Sequence, residues 1–274
     1  MVIVEIGLNH MGSMDLVNEY ISVLSDTEID AITLQIREDE YYQNPEKSKY
    51  LLSKDDYLSI SNMIHNCGKK FGVAIADINC VDYLEEIGVD FYKIIRNDIT
   101  NTELTDKLMS TGKKIIVSTG LSSDEEIETF MSRYEGKYAN DTIVLNHTQL
   151  SYDHKDCNLS AISAMQTKYK CNVSYGSHCE NSLTLYMSLC YNPSDVLFYV
   201  KGRDPQKYPD DKHAINLDAV KFVSSNLKNL SKATGTGIKE KMVNKIESKI
   251  ETPYEKSERL KNEDADQWDN TLWG

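Results

Sequence analysis

Residues 2–24, VIVEIGLNHMGSMDLVNEYISVL, hold the pattern that decides the fold. Val2–Leu8 is a short run of β-branched and apolar residues interrupted by one charge, Glu5, and reads as a buried strand. From Met14 to Leu24 the spacing changes. Leu16, Val17, Tyr20, Ile21 and Leu24 recur at the three- and four-residue steps of one helix face. A strand followed directly by an amphipathic helix is the repeating unit of an α/β fold.

The unit recurs along the chain. Strand-like runs at Asp30–Gln35, Phe71–Ala76, Asp90–Ile95, Lys114–Ser118, Thr142–Asn146, Cys171–Tyr175 and Asp195–Val200 alternate with helical spacing. The helical segments are Tyr57–Asn66, Val81–Ile87, Glu103–Ser110, Glu125–Tyr134, Ser160–Lys168, Ser182–Tyr191 and Asp218–Asn229. Ser53, Thr100 and Ser122 are candidate N-caps, and Gly68, Gly88 and Gly112 are candidate helix stops. Eight strand–helix units predict a closed (β/α)8 TIM barrel, which takes about 250 residues. An open doubly wound sheet would have fewer strands and often a glycine-rich first turn. Residues 36–52 read as a polar insertion after the second strand. The barrel domain is expected over 1–250, with a short charged helix at Ile238–Ile250, and residues 251–274 as an acidic, solvated tail.

Composition excludes some function classes. The 274 residues carry 43 Asp and Glu against 30 Lys and Arg, a net charge of -13, which disfavours a nucleic-acid partner but not a local basic pocket. The N-terminus has no basic stretch before its apolar run, and no segment approaches the roughly 18 apolar residues of a membrane span. A soluble, cytoplasmic protein without a membrane partner is expected. Six cysteines, at 67, 80, 157, 171, 179 and 190, form no C-x-x-C pair and are expected to be reduced thiols.

In a barrel of this kind reactive groups lie at the C-terminal ends of the strands. Those ends offer Asn9 and His10, Gln35, Arg96, Ser118, and Thr148 with Gln149 as candidate substrate-binding residues. Glu5 and Lys93 stand out because each is a charge inside an apolar strand. A buried charge costs several kcal/mol unless it is paired. The two are therefore either an internal ion pair or members of an active site, Glu5 as acid or base and Lys93 as the holder of a carboxylate or phosphate. Arg37, Arg96, Lys201 and Arg203 form a candidate anion-binding rim. His10, His147 and His178 follow strands, but no H-x-x-x-H or Cys/His cluster is present, so spacing carries little metal signal. His65, His154 and His213 are expected to have no catalytic role.

The order of motifs is informative: EIGLNHMGSMDL at 5–16, IDAITLQ at 29–35, GVDFYKI at 88–94, DITNTEL at 98–104, TGKKIIVSTGLSSDEEIE at 111–128 and SYGSHCEN at 174–181. Over roughly residues 2–250 the chain resembles the sialic acid (N-acetylneuraminate) synthases, the NeuB-like group. The resemblance implies a (β/α)8 barrel that condenses phosphoenolpyruvate with an N-acetylated aminosugar or related aldehyde, in carbohydrate biosynthesis. It also implies a divalent cation, manganese or magnesium, that polarises the aldehyde. Carried over, Glu5 and Lys93 are catalytic, Lys93 and Ser118 bind phosphoenolpyruvate, His178 ligates the metal, and Asn9, His10 and Gln35 shape the mouth.

The chain departs from the family pattern at several points. Thr33 stands for a strand-two lysine, and Val200 stands for the second metal histidine of strand eight. The sequence ends without the family's C-terminal antifreeze-like domain. Arg37 and Arg96 are candidate replacements for lost anion contacts, and His147 for the lost metal ligand. The expected partners are a small anionic substrate and a sugar, with a homodimer as one possible assembly. Two other readings stay open: a barrel that binds or scaffolds without catalysis, and an aldolase using Lys93 as a Schiff base.

Overall fold

The computed structural model describes residues 1–95, 98–137, 142–239 and 254. β1 (Val2–Gly7) is buried along its whole length, and Ser13 accepts from the Leu16 amide to start α1 (Met14–Ser25). The chain continues through β2 (Ala31–Ile36), α2 (Asp39–Gln43), α3 (Lys54–Asn66), β3 (Lys70–Ile75), α4 (Val81–Glu86), β4 (Phe91–Ile94) and α5 (Thr102–Ser110). The second half is β5 (Lys114–Ser118), α6 (Asp124–Tyr134), β6 (Ile143–His147), α7 (Ala161–Tyr169), β7 (Asn172–Gly176), α8 (Leu183–Ser188), β8 (Val196–Lys201), β9 (Ile215–Asn216) and α9 (Val220–Ala233).

Strands β1 to β8 pair in sequence order, all parallel, and β1 also pairs with β8, so the sheet closes. The predicted (β/α)8 barrel is the fold. Closure separates two layers. Val4, Ile32, Phe71, Tyr92, Val117, Leu145, Val173 and Phe198 belong to the outer core between strands and helices. Ile3, Ala31, Phe91, Ile116, Val144 and Leu197 form a separate cluster that plugs the inside. The Phe91 ring fits there because Gly72 has no side chain: a Cβ at Gly72 would lie 2.3 Å from Phe91 Cζ.

Strand boundaries differ from the sequence reading by at most one residue and most helix ends by one or two, but α3 starts three residues earlier than read, α8 ends three earlier and α9 ends four later. Two caps need correction. Asn101, not Thr100, caps α5, and Ser123, not Ser122, caps α6 in a capping box with Glu126. Residues 36–52 are more than a polar insertion, since they contain α2 and the buried side chains of Tyr50 and Leu52. The short β9 was not expected. It extends β8 by pairing Val200 with Ile215 and Lys201 with Asn216.

The chain divides into units Met1–Gly235 and Thr236–Gly274. Most of the expected helix at Ile238–Ile250 and of the expected tail lies outside the described residues. All six cysteines are free thiols. Among the described residues no helix is long and apolar enough to cross a membrane.

The two serines before α6 make opposite predictions. Ser123→Ala removes a working cap and should cost about 1 kcal/mol, lowering Tm by roughly 2–4 °C at this size. The Ser122 hydroxyl is buried with no hydrogen-bond partner, so Ser122→Ala should leave Tm unchanged or raise it. Equal losses at both positions in a thermal melt would mean that Ser122 shares the capping.

Candidate active site

The inner face of the barrel turns polar above its apolar plug. Lys93 Nζ donates to Glu5 Oε1 at 2.5 Å, with both side chains almost inaccessible to water. Thr33 is the β2 partner of Glu5 in the sheet register, and its buried hydroxyl has no hydrogen-bond partner. Tyr199 is the β8 partner of Glu5, and its ring centre lies 5.8 Å from Lys93 Nζ. Gln35, two residues beyond Thr33, is half-buried.

On the other side of the mouth, β5, β6 and β7 bring up Ser118, Asn146 and Ser174. Ser118 and Asn146 are register partners, and Ser174 Oγ donates to Asn146 Oδ1 at 2.9 Å. The Gly120 amide donates to Ser118 Oγ at 3.4 Å, and Gly120 also lies against the Thr148 methyl. The Thr148 hydroxyl is 2.9 Å from His178 Nδ1, and the His178 ring is 5.5 Å from that of Tyr199. Contacts therefore run unbroken from Ser118 through Gly120, Thr148, His178 and Tyr199 to Lys93 and Glu5.

Two residues at this mouth escaped the sequence reading. His213, assigned no role there, has a side chain only 4% exposed, and its ring centre is 4.7 Å from that of His178 and 4.9 Å from Tyr199. Asp210 places Oδ1 3.8 Å from His213 Nε2. Its Oδ2 would lie 3.4 Å from a Cβ at Gly7, a residue at φ 57 whose missing side chain leaves room for the Tyr199 ring. Burial, and then the nearby charge of Glu5, push the Asp210 carboxyl up to about 7, with Lys93 opposing. The loop is tied in place when the Asp210 amide donates to Asn9 Oδ1 and Asn9 Nδ2 donates to the Val200 carbonyl. Both polar atoms of the Asn9 side chain are thus occupied by backbone.

Several expected contributions fall elsewhere. His147, the candidate replacement ligand, has its Nε2 2.9 Å from the Cys157 carbonyl oxygen and its ring stacked on Tyr175 of the outer core. Val200 is also an outer-core residue, so the strand-eight side chain that reaches the mouth is its neighbour Tyr199. The anion rim does not stand as read. Arg37 is bound by the Glu38 carboxylate, Lys201 by Asp211 at 2.9 Å, and Arg203 by Asp218 and Glu19. Arg96 lies outside the described residues. His10 is fully buried, accepts from the Gly12 amide through Nδ1 and leaves Nε2 without a partner. Gln149 is exposed and, with Thr148, lines a side cavity of about 270 Å³ between α6 and α7.

This constellation of barrel, buried ion pair and histidine at the strand ends meets a matching family model. The NeuB family model covers residues 21–239. The chain belongs to the NeuB family. Relatives include an uncharacterized protein of Methanocaldococcus jannaschii, 28% identical over 249 residues, covering 87% of this chain and 73% of that protein. An N,N'-diacetyllegionaminic acid synthase of Campylobacter jejuni is 24% identical over 262 residues, covering 87% of this chain and 78% of the relative. Among solved structures, the N-acetylneuraminic acid (sialic acid) synthetase of Leptospira borgpetersenii shares the fold, with a TM-score of 0.81 at 23% identity, over 97% of this chain and 92% of that one.

A divalent cation in this NeuB-family mouth would need donors that are deprotonated and not already engaged, which for histidine means the neutral imidazole. Among the described residues no three His, Cys, Asp or Glu side chains form a closed metal-holding group. The imidazoles of His178 and His213 do meet the need: burial lowers His178 to about 3 and His213 to about 4, so both are neutral at pH 7. Both His213 ring nitrogens are buried without a hydrogen-bond partner. The donor chemistry fits a cation held by few protein ligands.

Asp210 gives a pH prediction. The folded carboxyl keeps its proton to about 7, whereas the unfolded one releases it near 3.9. The stability this adds is complete below the lower value and lost as pH rises through the higher one. Denaturant midpoints between about pH 4 and 7 should therefore fall more steeply in the wild type than in Asp210→Asn. Parallel slopes would mean that Asp210 ionises normally.

Proposed function

We propose that this chain condenses phosphoenolpyruvate with an N-acetylated aminosugar or related aldehyde, giving a sialic-acid-like 2-keto acid and phosphate. Membership of the NeuB family supports the reaction class. The observation that supports the reading is the contact path from Ser118 to Glu5, because it links four residues that match the family pattern, Ser118, His178, Lys93 and Glu5.

In this reaction C3 of phosphoenolpyruvate bonds to the aldehyde carbon and the aldehyde oxygen takes up a proton. Water then adds at C2 as phosphate leaves. Glu5 is the acid–base group nearest the reacting carbons. Lys93 exchanges part of its contact with Glu5 for the substrate carboxylate or phosphate, a charge-assisted bond in a site closed to water. Ser118 donates its hydroxyl to the phosphate. Asp210, poised near neutrality, is a second proton carrier beside Glu5. A divalent cation, manganese or magnesium, supplies Lewis-acid polarisation of the aldehyde when bound.

Phosphate release from phosphoenolpyruvate, assayed against a panel of aldoses, should depend on an N-acetylated aminosugar. No release with any acceptor would favour a barrel that binds without catalysis. Borohydride should trap no substrate adduct; an adduct at Lys93 would point to Schiff-base chemistry instead. Lys93→Met keeps the length and removes the charge, and should weaken phosphoenolpyruvate binding by about ten-fold to a hundred-fold, roughly 1.5–3 kcal/mol. Unaltered affinity with a lower Tm would mean that Lys93 serves only to neutralise Glu5.

A further inference from the structure

We infer that His178 and His213 together ligate the divalent cation of this mouth, the loop histidine taking the place that strand eight leaves without a ligand. The inference deepens the proposed function by naming the residues that hold its cation. It rests on that reading only for the substrate.

Buried polar groups in folded proteins almost always have a hydrogen-bond partner, yet both His213 nitrogens lack one. The ring is not idle by accident of exposure, because its side chain is 4% exposed and is packed against Tyr199 at 4.9 Å and Tyr152 at 5.8 Å. A turn also holds the residue, with the His213 and Ala214 amides both donating to the Asp210 carbonyl. β9 starts two residues later, at Ile215, and fixes the loop against β8.

His178 is the second donor. The Thr148 hydroxyl engages Nδ1 at 2.9 Å, which orients the ring and leaves Nε2 for a ligand, the arrangement that outer partners give metal-bound histidines. Ring centres 4.7 Å apart allow one nitrogen of each imidazole to reach a common ion at about 2.0–2.1 Å. Two imidazoles left this close, with neither His213 nitrogen bonded, are a pair awaiting an electrophile. The nearby lysine charges do not stand against a cation, because Lys93 is offset by Glu5 and Lys201 by Asp211. Imidazole nitrogen suits divalent first-row transition metals better than calcium or magnesium. With only two protein nitrogens, the remaining positions fall to water and substrate oxygens, so the ion should be exchangeable and removable by a chelator.

The test uses the full chain, stripped with EDTA and titrated with Co²⁺ without substrate, read by visible absorption and calorimetry. One Co²⁺ per chain is expected. His178→Ala and His213→Ala should each weaken binding at least about ten-fold, and Thr148→Val should weaken it by about ten-fold. Cobalt binding to His213→Ala at wild-type strength overturns the inference, as does a wild type that binds none. Should either histidine variant fail to fold, proton NMR of the Co²⁺-loaded wild type counts ligands directly. Two exchangeable imidazole N–H signals shifted far from the diamagnetic range are expected, and one or none overturns the assignment. Protection of His213 by an acceptor sugar alone, with no cobalt bound, would make it a sugar-binding group instead. Cobalt held by both histidines in a protein that never releases phosphate would sink the synthase reading and leave this site standing. Phosphate release without histidine-dependent cobalt binding would do the reverse.

Discussion

Pairing of β1 with both β2 and β8 is the constraint from which the remaining features follow. A closed sheet has an inside, and alternate residues of every strand must share it. The apolar plug of Ile3, Phe91, Ile116, Val144 and Leu197 fills the lower part of that space. Above it, strands β1, β4, β5 and β6 of that plug, together with β7, bring Glu5, Lys93, Ser118, Asn146 and Ser174 inward, all buried. Glu5 and Lys93 cannot both be ionised there without each other, since deleting one partner of a buried pair leaves an uncompensated charge costing about 3–5 kcal/mol. Their contact joins strands on different sides of the barrel and sets the polarity of the whole mouth.

The mouth is unusual in what it leaves unsatisfied. His10 Nε2, Thr33 Oγ1, Asn146 Nδ2 and both nitrogens of His213 are buried without a partner, and each belongs to a strand face or loop at the barrel opening. A buried donor or acceptor left unpaired costs about 1–3 kcal/mol. Such groups gathered at one opening form a surface prepared for a polar ligand. The cations around it follow the opposite rule. Arg37, Lys201 and Arg203 already hold carboxylates, so the acidic surface of the protein offers little general attraction for anions. Recognition of a small anion is left to groups inside the barrel.

Part of this was legible in the chain itself. Lys114–Ser118 has the bounds its β-branched run predicts, and α1 follows the spacing from Leu16 to Leu24. Glu5 and Lys93 were legible because a charge breaks an apolar strand pattern. Caps were harder, since Ser122 and Ser123 offer the same hydroxyl one residue apart and only backbone geometry at the helix start chooses between them. Val200 and Tyr199 pose the same difficulty: strand alternation sends one outward and one inward, and the phase depends on the register of β8 against β1.

Strand and helix periodicity, helix stops and the presence of buried charge are encoded within windows of a few residues. They determined the element order, the eight-fold repeat and the pair of in-strand charges. Meetings between distant segments are not encoded that way. His213 is one histidine in a polar loop, between Lys212 and Ala214, and nothing local marks it. It stands beside His178 because barrel closure puts β7 next to β8, and β9 holds the following loop against β8. The partners of Arg37, Lys201 and Arg203 were hidden for a similar reason: a sequence counts charges, but the folded chain decides which carboxylate each one meets.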